Sequence, residues 1–417
     1  MADRVLTPPP RDQGADDPPA ATVEDDDEDL LSYDPQWCLF WDAAVPAFHL
    51  DIWLPYLRRS RYRYVVMAGE DRFSDAVRAA IAGVPNVRIV EPYKVARTWL
   101  QFCPSFRGVL YVGNRPENLR MANSFRNGSH VFLGHGESDK HYSGFRAASL
   151  YDSIFVARYG AVGRFPPAIR RWVAAGACAI GAPILDGAVK DPWTAPRPIR
   201  TILYAPTWEG HSTRGDYTSL PEVGPALIEA MPDLVARGIR VILRPHPTTG
   251  MRLAALKAIP KEILAAGAEP GGAKAADFAA ADVIISDISG ISAEFLFTEK
   301  PMIMPVTSAL RALDIDDARL AADYPWVDRW DVAGTLLLDR LAALETTDPL
   351  RRARAKAARD LFHGHRSIEE AARDFDLALE SVTWRRRRIP VRWVYEAKRR
   401  MPRLREPTPA TLPRRST

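Results

Sequence analysis

"DVIISDISGISAEFLF", residues 282–297, decides the fold. Val283–Ile285 is a short β-branched run that ends at Ser286-Asp287. A small-residue turn, Ser289-Gly290, follows, and the next residues read as a helix. A buried strand that passes straight into a helix through Ser and Gly is half of a βαβ unit. The start of such a helix offers free backbone N–H groups and a partial positive charge. Ser289 and Ser292 add hydroxyls, and Gly290 lets an anion approach closely. Glu294, about one turn in, is placed to accept ribose hydroxyls, and Asp287 closes the strand. The same serines also suit an ordinary N-cap.

The pattern repeats in both directions. "YRYVVMAG" (62–69), "VRIVEP" (87–92), "GVLYVGN" (108–114), "HVFLGHG" (130–136) and "SIFVAR" (153–158) read as buried strands. Helical stretches such as "RFSDAVRAAIAG" (72–83) lie between them. After the proline-bearing "APRPIR" (195–200) the alternation restarts with "TILYAPT" (201–207) and "IRVILRPHP" (239–247). It continues through residues 282–289 to "PMIMPV" (301–306). Alternation of this kind implies parallel strands joined by crossover helices. The expected architecture is α/β: two Rossmann-like doubly wound domains facing a cleft. The first spans 36–195 and the second 196–380.

The ends of the chain differ from its middle. Residues 1–36 carry eleven Asp or Glu against two Arg, and residues 381–417 carry twelve Lys or Arg against two Glu. Residues 1–35 read as a disordered acidic tail, rich in Pro and poor in large apolar groups. The basic tail 381–417 interleaves its cations with Trp384, Trp393 and Tyr395. Residues 381–405 therefore suit an anionic membrane surface, with the rings at headgroup depth. The centre has no large charge excess, so nothing at that scale argues for nucleic acid, and no nucleic-acid partner is expected. Hydrophobic content of 47% supports buried cores. Three widely spaced cysteines without a CxxC suit a reducing compartment. No leader is expected from the acidic N-terminus, and no apolar run approaches the ~20 residues that span a bilayer.

Three more strand ends carry chemistry. In "LGHGESDK" (133–140), His135 stands between two glycines on a strand-to-helix turn, where an imidazole can act as a general base. In "ILYAPTWEGH" (202–211), Thr207 offers a hydroxyl and Trp208 a flat face. In "VILRPHP" (241–247), Arg244 and His246 leave an otherwise apolar strand, and a cation beside an imidazole suits a phosphate. The chain has no GxGxxG, HExxH or cysteine–histidine zinc spacing, and "GAEPGGAK" (267–274) fails as a P-loop. His363 and His365 of "FHGHRS" make a poor metal pair at i, i+2. No metal and no cofactor is expected.

In order and spacing, "HGESDK", "ILYAPTWEG", "RPHP" and "DVIISDISGISAEFLFTEKPMI" resemble the CDP-glycerol glycerophosphotransferase family, which builds the polyol phosphate chains of teichoic acids. The resemblance covers roughly 100–310, with a looser echo at "FHGHRS". It implies a glycosyltransferase B-type fold and a peripheral place on the cytoplasmic face of the membrane. It implies transfer of a polyol phosphate, glycerol phosphate first, from a CDP-polyol donor to the hydroxyl of a polyol-phosphate or glycolipid acceptor, releasing CMP. It assigns His135 as catalytic base, and His246 and Ser289 to the donor phosphates. The chain departs from the family at Gly290, where a second serine is usual, at Glu209, where Arg is frequent, and at 137–140.

Two other readings stand beside it. "SDISGISAEF" also resembles the phosphate loop of UDP-N-acetylglucosamine 2-epimerase, so a sugar-nucleotide enzyme or glycosyltransferase is the alternative. A non-catalytic membrane-bound assembly protein, working through its charged tails, is the third.

Overall fold

The computed structural model describes residues 26–41, 48–68, 78–79, 81–90, 100–113, 117–125, 128–134, 136, 146–193, 195, 197–210, 212–213 and 216–383. Two parallel sheets organise them. The first contains β1 (Trp37–Trp41), β2 (Tyr64–Ala68), β3 (Val87–Val90), β4 (Gly108–Tyr111), β5 (Ser129–Phe132), β6 (Ser153–Val156) and β7 (Ala177–Ala179). Its order is β3-β2-β1-β4-β5-β6-β7. The second contains β8 (Thr201–Ala205), β9 (Arg240–Leu243), β10 (Glu269–Pro270), β11 (Val283–Ser286), β12 (Met302–Val306) and β13 (Asp328–Asp331), in the order β10-β9-β8-β11-β12-β13. Each order reverses direction once, between β1 and β4 and between β8 and β11. These are doubly wound sheets, and such reversals open a crevice at the C-terminal strand ends.

All nine strands expected from sequence are present. Four more were not expected. β1, "WCLFW", lies inside the first sheet between β2 and β4 and is buried along its whole length. Its aromatic and thiol side chains fill the same two-sided environment that Val and Ile fill elsewhere. β7, β10 and β13 are edge or near-edge strands, too short or too polar to show a strand pattern.

Part of the stretch read as an acidic tail is ordered. Asp26–Tyr33 is helical, and Leu30 and Tyr33 are buried in the first domain's core. The Tyr33 hydroxyl donates to the Tyr64 carbonyl at 3.2 Å. Three large side chains, Leu30, Leu31 and Tyr33, supply an apolar face that the surrounding carboxylates hide in composition. Residues 1–25 and 384–417, which carry the rest of both tails, lie outside the described residues.

The last helix, Ile368–Thr383, packs on the first domain. Its Phe375 ring lies within 6 Å of Trp53, Tyr56 and Phe155, at 5.7, 5.8 and 5.8 Å between centroids. Asp376 accepts from the Ser60 hydroxyl at 2.5 Å and from the Arg61 N–H at 2.9 Å. The chain thus crosses between the domains twice. The two crossings touch each other, the Ala182 N–H donating to the Leu361 carbonyl at 2.8 Å.

Candidate active site

The second sheet's reversal point is built from β8 and β11, and Asp287 locks it. Its carboxylate accepts from the Thr207 N–H at 2.7 Å and the Ser219 N–H at 3.2 Å. Asp287 is buried at 2% exposure, so it works behind the wall, fixing the loop that leaves β8. Thr207 is buried too, and its carbonyl accepts from the Thr218 hydroxyl at 2.7 Å. Ser286 closes the same seam by donating to the Ala205 carbonyl at 2.9 Å.

The turn after β11 is as expected from its residues. Ser289 takes extended backbone angles and is the N-cap of the Gly290–Phe295 helix. Its hydroxyl donates to the Asp287 carbonyl at 3.2 Å and lies 3.3 Å from the Ser286 hydroxyl. The Ser292 hydroxyl donates to the Ser289 carbonyl at 2.9 Å and accepts from the Ser289 N–H at 3.4 Å. Glu294 pairs with Lys274 at 2.7 Å, and it keeps 14% side-chain exposure. The Lys274 charge also reaches Asp51 of the first domain, where it opposes the upward push of burial on that carboxyl.

β9 delivers two side chains with different duties. Arg244 turns toward Asp277, with Nε at 2.8 Å and an Nη at 2.7 Å from one carboxylate oxygen. The same Nη meets the Gly272 carbonyl. Asp277 in turn accepts from the Gly272 N–H at 3.0 Å. Arg244 therefore shapes the 271–274 loop. A Cβ at Gly271 would fall 2.8 Å from the Asp277 carboxylate and 3.3 Å from Arg244, so a larger residue there would push this ion pair aside.

His246 faces the crevice differently. Its Nδ1 accepts from the Thr248 N–H at 3.2 Å and from the Thr248 hydroxyl at 2.8 Å. A nitrogen that accepts a backbone N–H carries no proton, so the neutral ring holds its proton on Nε2. The ring stacks on Trp208 at 5.9 Å and 18°. His246 is thus a positioned hydrogen-bond donor at the end of β9.

Glu209 is the residue that sequence reasoning registered only as a departure. It is fully buried. Its carboxylate accepts from the Gly250, Arg252 and Leu253 N–H groups at 3.1, 2.8 and 3.0 Å. Burial alone raises such a carboxyl; the backbone donors of Leu253, Gly250 and Arg252 outweigh it and hold the group below its ordinary value. Arg252 crosses back to the Glu209 and Gly210 carbonyls and to Asp216. The loops after β8 and β9 are thereby tied into one unit under Trp208 and His246.

In the first domain, after β5, Gly134 and Gly136 both take left-handed backbone, at φ 71° and 107°. The Trp53 indole donates to the Gly134 carbonyl at 2.7 Å. A Cβ on Gly136 would sit 3.5 Å from Ile52. Gly134, which precedes His135, is therefore held by Trp53. His135 itself, and Glu137, Ser138, Asp139 and Lys140 after it, lie outside the described residues. Among the described residues, no three His, Cys, Asp or Glu side chains converge as metal ligands.

Residues 187–308 match the family model of CDP-glycerol:poly(glycerophosphate) glycerophosphotransferase. The likeness to this family covers that segment, most of the second sheet included. The matched segment holds Thr207, Glu209, Arg244, His246, Asp287, Ser289, Gly290, Ser292 and Glu294. The glycerophosphotransferase match ends before the last helices and begins after the first sheet. Solved structures extend the likeness over both domains as a fold. The wall teichoic acid polymerase TagF aligns over 86% of this chain and 91% of its own, at 13% identity and a TM-score of 0.51. A UDP-N-acetylglucosamine 2-epimerase from Listeria monocytogenes aligns over 85% and 98%, at 13% identity and a TM-score of 0.52. No curated protein sequence matches the chain.

Proposed function

We propose that this chain transfers glycerol phosphate from CDP-glycerol to an acceptor hydroxyl and releases CMP. The observation that carries the reading is the crevice at β8, β9 and β11. There the segment that matches the glycerophosphotransferase family model brings His246, after β9, and the serine turn 289–292, after β11, to the strand ends on either side of β8.

The acceptor oxygen attacks the phosphorus that bears glycerol. A bond forms from that oxygen to phosphorus, the bond from phosphorus to the CMP oxygen breaks, and the acceptor proton leaves to a base. His135 is assigned as that base from its place between two left-handed glycines. Negative charge grows on the departing CMP phosphate. The Nε2–H of His246 and the hydroxyl of Ser289 are the groups that meet it, and preorganised donors of this kind act where charge develops. Glu294 takes the ribose hydroxyls, and Asp287 and Arg244 hold the walls. Residues 381–405 bring the enzyme to an anionic membrane on its cytoplasmic face, where the acceptor polymer is built. No described helix is long and apolar enough to cross a membrane.

The test is product release. The full chain is incubated with CDP-glycerol and a polyol-phosphate acceptor, with UDP-sugars in parallel. CMP appearing only with CDP-glycerol or CDP-ribitol is the expected result. UDP or an isomerised sugar without CMP overturns it in favour of a sugar-nucleotide enzyme.

A further inference from the structure

A second concavity lies where the chain makes its two crossings between the domains. It encloses about 760 Å³. Its walls are the end of the Leu54–Arg59 helix, the connection 185–190, the Arg351–Leu361 helix and the turn 364–369. Thr207, Arg244, His246, Ser289 and Glu294 are all absent from its lining.

The charges in this wall are unevenly matched. Each carboxylate already has a cation. Arg59 spans Asp186 at 2.9 Å and Glu369 at 3.0 Å, and Lys190 holds Glu299 at 2.9 Å. Arg359 and Arg366 also line the cavity, and their guanidinium groups have no ion-pair or hydrogen-bond partner among the described residues. Beside them runs an apolar strip that includes Leu185 and Val189, the latter 67% exposed. Two guanidinium groups without a partner among the described residues and an apolar strip thus border one hollow of ligand size.

We propose that this cavity binds a small organic phosphate. A guanidinium fork matches phosphate oxygens in pairs, and two forks match the double charge of a phosphate monoester. The apolar strip takes the carbon skeleton. The site joins Arg59 of the first domain to Arg359 and Arg366 of the second, so an occupant ties both crossings together. Glu299 lies at the far end of the helical stretch 290–298 whose first turn carries the serines of the donor site. Occupancy therefore bears on the donor crevice from behind. The assignment stands whichever nucleotide donor the crevice takes.

The full chain is titrated calorimetrically with sn-glycerol 3-phosphate, with inorganic phosphate and with glycerol. Two double variants are titrated beside it: Arg359→Ala/Arg366→Ala and His246→Ala/Ser289→Ala. Melting curves check that each is folded; Arg359 and Arg366 are exposed, so their removal leaves the cores intact. The expected result is saturable binding of glycerol 3-phosphate that survives in the His246/Ser289 variant and weakens roughly ten-fold or more in the arginine variant. Glycerol is expected not to bind, and inorganic phosphate to bind more weakly than glycerol 3-phosphate. Binding lost with the His246/Ser289 pair and kept without the arginines overturns the proposal, as does no saturable binding to the full chain. Equal affinity for inorganic phosphate overturns the organic part of the assignment.

Discussion

Thr248 holds the Nδ1 of His246, which leaves Nε2 as the nitrogen that the proposed reaction would use. Replacing His246 with Ala removes a donor aimed at developing charge, and CMP release should fall about 10²–10³-fold. Thr248→Val keeps the backbone N–H and loses only the hydroxyl, so a smaller drop, about ten-fold or less, is expected at unchanged melting temperature. A Thr248→Val enzyme as inactive as His246→Ala would give Thr248 a direct role. Glu209 answers to stability instead. Its loss strands the buried Gly250 N–H and the part-buried Arg252 and Leu253 N–H groups, so Glu209→Ala should lower unfolding free energy by about 1–3 kcal/mol in urea titrations. His130 sets a pH window. Its Nε2–H donates to the Phe125 carbonyl and its Nδ1 accepts from the Tyr111 hydroxyl, both at 2.9 Å. Burial pulls its pKa down to about 4. The unfolded chain binds a proton near pH 6.5, where the folded chain does not. The stability His130 confers is whole above that pH and is lost as pH falls through 4, at most about 3 kcal/mol. Melting curves of the wild type and His130→Gln between pH 7 and 4 check this; parallel slopes would remove His130 as the cause. Strand ends were legible here because a lone polar residue after an apolar run stands out. The split of duties was not. Whether Arg244 meets a phosphate or Asp277, and whether Glu209 faces solvent or three amides, depends on residues 30 to 45 positions away.

At the level of elements, glycines decide where strands and turns can pass. A Cβ on Gly108 would lie 1.9 Å from the Ser129 carbonyl oxygen, so β4 and β5 pair only with glycine there. Gly136 is permissive in space and demanding in backbone angle. Gly136→Ala should cost about 1–3 kcal/mol of local strain and displace the turn that bears His135. Turnover should fall at nearly unchanged global melting temperature, measured as CMP release beside calorimetry; full activity would show that the turn tolerates the shift. The Ile368–Thr383 helix is the opposite case, an element held by size. Phe375→Ala should destabilise by about 3–5 kcal/mol, because its ring meets Trp53, Tyr56 and Phe155 together. The helix pattern is readable in sequence, but its partner is not, since nothing local says that residue 375 returns to residue 53.

For the whole molecule, the two ends of the chain have unequal standing. Removing 384–417 leaves every described core contact in place, so melting temperature should hold while sedimentation with anionic vesicles is lost. Vesicle binding that survives the deletion would relocate the membrane contact. Removing 368–417 instead takes the inner wall from the first domain and should abolish cooperative folding. The doubly wound architecture was legible because each strand–helix alternation is local, whereas the closing helix was counted with the second domain, its nearest neighbour in sequence. That return has a consequence for biogenesis. On the ribosome the first domain emerges long before its last helix does. Over 300 residues separate Ser60 from Asp376, and at ordinary elongation rates that is a delay of roughly 15–60 s. Throughout it, Trp53, Tyr56 and Phe155 lack their cover. The nascent chain must therefore be shielded by chaperones or wait in a partly formed state, and the first domain matures only once translation is nearly complete.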